Sequence, residues 1–230
     1  MKTKNFCFPQ NTINFLTKLS KNNSKVWFET NREKFNEEFL SPALQFVIEM
    51  GERLSTLSPN INAIPKIDKS IFRLHRDIRF SKDKSPFKTN LGLNFWEGRG
   101  KKMECPGFYF HIEPKKFFLG AGMYMFTKEQ LIKYRLIVSD PEKAKQLLEI
   151  IMKLLKGKNI KLGGKTYKKT PRGFDPNYRY NDLLLQSGLY IFYESSLLEE
   201  LINKDAVDYS FRIFQKMYPL HKWCVENLTV

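Results

Sequence analysis

The hydrophobic period changes twice along the chain, and that change decides which folds are open to it. From about Ile67 to Phe126 apolar residues recur at every second position: Leu91, Leu93 and Phe95 in "LGLNF", Phe108, Phe110 and Ile112 in "GFYFHIE", and Phe117, Leu119, Ala121, Met123 and Met125 in "FFLGAGMYM". Such alternation marks strands with one face toward a core, and the short connections predict an antiparallel meander. On either side the spacing is helical. "SKVWFETNREKF" places Phe28, Arg32, Phe35 and Phe39 on one stripe, and "SPALQFVIEMGERLSTL" predicts a further helix with Ser41 as N-cap and Pro42 at its first position. After Thr127 helical spacing returns, with Asp140 as a cap before Pro141 and Gly157 as a stop. "NIKLGGKTYKK" predicts a small hairpin turned at Gly163 and Gly164, "TPRGFDPN" a rigid loop, "GLYIFYES" a short strand, and the residues from about Ser196 mostly helix. The expected fold is α+β: a single domain over residues 1–230 with a mainly antiparallel central sheet (strands within about 67–126 plus short later strands) flanked by N- and C-terminal helices.

Twenty Phe among 230 residues can fill a substantial core. No apolar run approaches bilayer-spanning length and the basic N-terminus carries none, so a soluble, cytoplasmic protein is expected. Cys7, Cys105 and Cys224 are odd in number and widely spaced, which predicts reduced thiols rather than disulfides or zinc ligands. His75, His111 and His221 lack metal-ligand spacing, and neither a metal nor a cofactor is expected.

The net charge of +15 is unevenly placed. Lys66 to Lys102 carries +7 and Lys153 to Arg179 carries +8, while the rest of the chain is balanced. Clustering on this scale points to a surface that attracts anions, set against the plainer reading of two solvated lysine-rich loops.

The densest stretch is "RLHRDIRFSKDKSPFK", Arg73 to Lys88, with seven basic side chains, His75 included, and two acids. Its first half fits a strand, with Phe72, Leu74, Ile78 and Phe80 on one face and Arg73, His75, Asp77 and Arg79 on the other. Arg76 falls on the apolar face. A guanidinium there stays charged and needs a counter-charge, supplied by Glu113, Asp83 or a bound anion. Ser81, Lys82, Asp83, Lys84 and Lys88 then form a loop whose ammonium and hydroxyl groups suit phosphate, with Asp83 orienting Lys82 or Lys84. In "GFYFHIE", His111 shares a face with Tyr109 and Glu113. Where that strand lies near the Arg73 strand, His111, Glu113, Asp77, Arg73 and Arg79 would combine a base, carboxylates and anion clamps.

Two familiar signals are decoys. "GGKT" ends like a phosphate loop, but Asn159 stands where the first glycine belongs. "GAG" at Gly120 to Gly122 lacks the third glycine of a dinucleotide fingerprint and lies within a strand, where close backbone approach explains it.

The segments "KNNSKVWFETNREKF", "SIFRLHRDIRFSKDKSPFKT", "PGFYFHIEP", "GAGMY" and "PRGFDP", in this order, resemble a bacterial and fungal family of conserved hypothetical proteins, domain of unknown function 2461. Phe87 stands where the family more often has Tyr, and the region beyond about Ser187 is less characteristic. The resemblance implies a single-domain protein and transfers no activity. It marks Arg73, Arg76, Asp77, Arg79, Phe80, Ser81, Lys82, Asp83, Lys84, Pro86, Lys88, His111, Gly122 and Arg172 as motif positions without assigning roles.

Three functions follow as expectations. The leading one is a binding module for an anionic small molecule or nucleic acid, using Arg73, Arg76, Arg79, Ser81, Lys82, Lys84 and Lys88, with Arg172 from the second basic segment. The second is an enzyme acting on a phosphate- or carboxylate-bearing substrate, with His111, Asp77 and Glu113 as catalytic candidates. The third is a structural or partner-binding protein in which these charges hold the fold.

Overall fold

The computed structural model describes residues 5–196 and 198–229. Along the chain, α1 (Gln10–Lys21), α2 (Lys25–Thr30) and α3 (Arg32–Lys34) lead through a π-helical turn (Phe35–Leu40) into α4 (Ser41–Ser55). Strands β1 (Ile61–Asn62), β2 (Leu91–Glu97), β3 (Gly107–Glu113) and β4 (Lys116–Met123) follow, then α5 (Lys128–Val138) and α6 (Pro141–Leu155). The chain finishes with β5 (Ile160–Lys165), α7 (Asn181–Leu184), β6 (Gln186–Ser195), α8 (Glu199–Ile202) and α9 (Ala206–Leu228). The strands form one antiparallel sheet in the order β1-β2-β3-β4-β6-β5, in the α+β class that the change of period predicts. Among the described residues no helix is long and apolar enough to cross a membrane.

Two compact units divide the chain. The first holds the residues up to Phe95 with Tyr109–Leu119 and Glu194–Arg212, and the second holds Trp96–Phe108, Gly120–Tyr193 and the residues from Ile213 onward. In the first unit, Phe110 packs on Phe8 and Phe46, with ring centroids 5.5 and 4.3 Å away. In the second, Phe108 packs on Phe214 and stacks on His221 at 4.3 Å, while His221 donates from Nε2 to Glu97 at 2.9 Å. Phe108, Phe110 and Ile112 are wholly buried, as the alternation requires. On β4 the inward set ends at Met123, and Met125 lies beyond the strand and is exposed.

Helix ends follow local chemistry. Thr127 and Gln130 form a reciprocal capping box at the start of α5, and Asp140 accepts from the Glu142 and Lys143 amides at 3.0 Å at the start of α6. Ser41 does not cap a helix, contrary to its sequence signature: the π-helical turn runs straight into α4. Pro42 has no N–H to give the Glu38 carbonyl four residues earlier. The Thr12 hydroxyl donates to that carbonyl instead, at 2.5 Å, so α1 repairs the gap and the helix continues.

The hairpin expected at Gly163 and Gly164 is a bulge within one strand. β5 pairs antiparallel with β6, and the register shifts between Gly163 and Lys165 where Gly164 takes a φ of +102°. A distant strand supplies the hydrogen-bond partners that local turn chemistry does not specify. The close approach expected at the "GAG" is present: Gly122 has φ +121°, and a Cβ there would collide with the Leu189 carbonyl and lie 2.8 Å from Tyr190 Cα.

Thr12 is fully buried, so Thr12→Val removes the donor to the Glu38 carbonyl without changing volume. Urea unfolding should show a loss of about 1–2 kcal/mol; an unchanged midpoint would mean that the carbonyl is satisfied without Thr12.

Candidate functional site

The stretch from Ile71 to Phe80 is not a strand. It makes isolated bridges, Ile71 to Leu93 and His75 to Phe87, and the Phe72 amide donates to the Gly92 carbonyl at 3.0 Å. Arg73 to Lys88 is an irregular hairpin tied by Arg76 N–H to the Pro86 carbonyl (2.9 Å) and Lys88 N–H to the Leu74 carbonyl (2.7 Å). Two side chains divert its backbone from a regular ladder. Asp77 accepts from the Arg79 amide at 3.2 Å and Asp83 from the Ser85 amide at 2.9 Å, while Pro86 has no amide to donate. The alternation survives through Ile78: Leu74 is buried, Arg76 and Ile78 are partly buried, and Arg73, His75, Asp77 and Arg79 are exposed. Phe80 breaks it, lying 95% exposed instead of facing the core.

The inward-pointing guanidinium has its counter-charge. Arg76 pairs with Asp83 and also donates to the Ser85 carbonyl (3.1 Å) and Ser81 Oγ (3.2 Å). Asp83 therefore braces the hairpin and does not orient Lys82 or Lys84. Hydrogen bonds from the Ser85 hydroxyl and amide, with that from Arg76, hold the Asp83 carboxyl down at about 2. Arg79 is paired with Asp77 at 2.7 Å, and Lys84 donates to the Ile78 carbonyl at 3.0 Å. Lys82 is exposed. Four of the expected ligand-binding groups, Arg76, Arg79, Ser81 and Lys84, are thus engaged within the hairpin itself.

Among the described residues Arg73 and Lys88, like the exposed Lys82 and Lys84, make no direct ion pair; what sets Lys88 apart is its burial. Lys88 is partly buried, its Nζ 5.5 Å from the centre of the Phe72 ring. Burial, followed by the nearby positive charge of Arg73, pulls its pKa below the ordinary lysine value, with Asp68 opposing. Phe72 meets Tyr109 edge to face at 6.0 Å. Gly92 leaves the space beneath, since a Cβ there would lie 2.9 Å from the Tyr109 hydroxyl and 3.3 Å from Phe72.

Tyr109 begins a hydrogen-bonded row on the outer face of β3. Its hydroxyl lies 2.8 Å from His111 Nδ1, and Asn90 Nδ2 lies 3.4 Å from the same atom. On the other side of the ring, Nε2 lies 3.1 Å from Glu113 Oε1. Two donors at Nδ1 and a carboxylate at Nε2 select one tautomer: His111 donates from Nε2 and accepts at Nδ1. Burial lowers the His111 pKa below 6.5, against the upward pull of Glu113 and with a smaller downward push from Lys116. Burial thus favours the neutral imidazole, whose basic lone pair faces the Tyr109 phenol.

His111 and Glu113 thus come together as the sequence suggests, but Asp77 is engaged by Arg79 instead of joining them. Asp77 belongs to the irregular hairpin, so the merged strand faces that would have carried it to His111 do not form. Arg172 is exposed on the loop between β5 and α7 in the second unit. Tyr109, Asn90 and Phe72 were not among the candidates; the period-two spacing of Tyr109, His111 and Glu113 carried the signal for the first of them.

Asp83→Asn keeps an acceptor for Ser85 but removes the charge facing Arg76. Limited trypsin digestion should cut after Lys82 and Lys84 several-fold faster in the variant, with the overall unfolding midpoint nearly unchanged. Equal digestion rates would show that the ion pair does not brace the hairpin. Because the Asp83 pKa is depressed, this contribution is full above the ordinary carboxyl value of 3.8 and is lost as pH falls through about 2.

A search of curated proteins finds no match. The model of the family described as "Conserved hypothetical protein (DUF2461)" matches residues 11–223, nearly the whole chain, and the protein belongs to that family.

Proposed function

We propose that this protein binds a small anionic molecule bearing a phosphate or carboxylate, at the ledge formed by Arg73, Phe72 and Lys88 beside the outer face of β3. The supporting observation is the half-buried Lys88 on the Phe72 ring with Arg73 near it, neither in a direct ion pair among the described residues, while Arg76 and Arg79 are paired with Asp83 and Asp77. Two like charges close enough to depress a lysine pKa repel each other, and a bound anion relieves that repulsion. Phe72 and Tyr109 add an aromatic wall, and the Tyr109 hydroxyl and Asn90 amide add polar groups of the kind that fix a ligand's orientation.

A small ligand fits this ledge better than nucleic acid. Affinity for a nucleic-acid backbone grows with the number of phosphates neutralised, and the hairpin has already committed Arg76, Arg79 and Lys84 to internal partners. The test is calorimetric titration with inorganic phosphate, a nucleoside monophosphate and a single-stranded oligonucleotide, each at low and high salt. Saturable binding of phosphate or the monophosphate, lost in Arg73→Ala and in Lys88→Met, is the expected result. Oligonucleotide binding with a steep salt dependence would favour the nucleic-acid reading. No saturable binding at low salt, or binding indifferent to both substitutions in folded protein, would end the proposal.

A further inference from the structure

The row on β3 has a direction. Glu113 accepts the Nε2 proton of His111, His111 turns its Nδ1 lone pair toward Tyr109, and Tyr109 lies edge to face with Phe72, the ring that carries Lys88. A carboxylate, an imidazole and a hydroxyl in series are the parts that activate a weak oxygen nucleophile in enzymes of unrelated folds. Here the hydroxyl is a phenol. All three side chains are partly exposed, so the row opens to solvent and is not sealed in the core.

We infer that Glu113, His111 and Tyr109 form a catalytic relay in which the Tyr109 oxygen is the nucleophile, and that its substrate is a phosphate ester. The substrate class rests on the anion-binding reading above; the relay rests on the hydrogen bonds alone. Tyr109 attacks phosphorus, forming a Tyr109 O–P bond as the P–O bond to the leaving group breaks. The phenolic proton passes to His111 Nδ1, and the imidazolium then gives it to the departing oxygen. Water releases the phosphoryl group from Tyr109 by attack at phosphorus, with one of its protons returning through His111 to the phenol. Arg73 and Lys88 neutralise the non-bridging oxygens. Glu113 is a positioning residue: it fixes the tautomer and stabilises the imidazolium.

A hydrogen-bonded tyrosine with only a structural role reacts more slowly than an exposed one, and this separates the alternatives. Full-length protein is treated with N-acetylimidazole, and the acetylation rate of each tyrosine is read by peptide mass mapping. Tyr109 should react about tenfold or more faster than the exposed Tyr124 and Tyr167, within the range of general-base assistance. His111→Gln should abolish the advantage and Glu113→Gln reduce it, in protein whose far-ultraviolet circular dichroism is unchanged. The comparison among tyrosines within the unaltered protein stands even where a variant misfolds. Acetylation of Tyr109 no faster than that of Tyr124 overturns the relay, and leaves phosphate binding by Arg73 and Lys88 to stand or fall on its own titration. In a second arm, p-nitrophenyl phosphate is mixed with the protein and quenched in acid. A phosphoryl adduct on Tyr109, weakened by Arg73→Ala while acetylation is unaffected, supports the substrate class. Rapid acetylation with neither an adduct nor nitrophenolate release overturns that class.

Discussion

The burial of Phe108, Phe110 and Ile112 is the constraint on which the candidate site depends. These residues are fully buried, so β3 cannot slip by one position without turning three large apolar side chains out to water. Burying a side chain of this size contributes roughly 1.5–3 kcal/mol. The register locked by that burial sends Tyr109, His111 and Glu113 to the opposite face, spaced by roughly 7 Å along the strand. Imidazole and phenol reach across that spacing to make hydrogen bonds of 2.8 and 3.1 Å. The chemistry of the row is therefore set by the core behind it.

The basic hairpin supplies the second part of the site by a different route. Part of its positive charge is paired internally, Arg76 with Asp83 and Arg79 with Asp77, and Lys84 is tied to a backbone carbonyl. The Arg76 and Asp83 pair joins the two arms of the hairpin, and the bonds from Arg76 to Ser81 and to the Ser85 carbonyl leave little of that guanidinium for a ligand. Lys82 and Lys84 remain exposed on the loop, and Lys88 is held apart from them by its burial. Lys88 lies over the Phe72 ring, which meets Tyr109, and Arg73 is near enough to Lys88 to push its pKa down. The braced loop and the cationic ledge are thus two environments within one sequence motif.

The sheet was legible because β2, β3 and β4 each carry an alternating apolar set that no helix would place on one face. The Arg73 segment alternates like a strand without being one, because alternation of exposure does not require a ladder: Asp77 and Asp83 bind nearby amides, and those competing bonds leave no signature in the hydrophobic pattern. Ser41 failed as a cap because a residue from another helix, Thr12, supplies the bond that a chain break would otherwise have to relieve. Gly163 and Gly164 read as a turn because the sequence does not show β6 approaching from more than twenty residues away. At the site, the apolar-face position of Arg76 in the sequence implies a counter-charge, and Asp83 supplies it. Spacing puts Tyr109 on the face of His111 and Glu113, but its bond to His111 is a side-chain contact that the pattern does not show.

Three donors and acceptors around His111 carry the functional account, and the position of its protons tests that account most directly. Nitrogen-15 correlation spectra of the imidazole distinguish the tautomers and the protonated ring at pH 7. The account requires a neutral His111 with hydrogen on Nε2 and a lone pair on Nδ1 facing Tyr109. A ring protonated at Nδ1, whether as the other tautomer or as imidazolium, would leave the Tyr109 phenol without a base and contradict it.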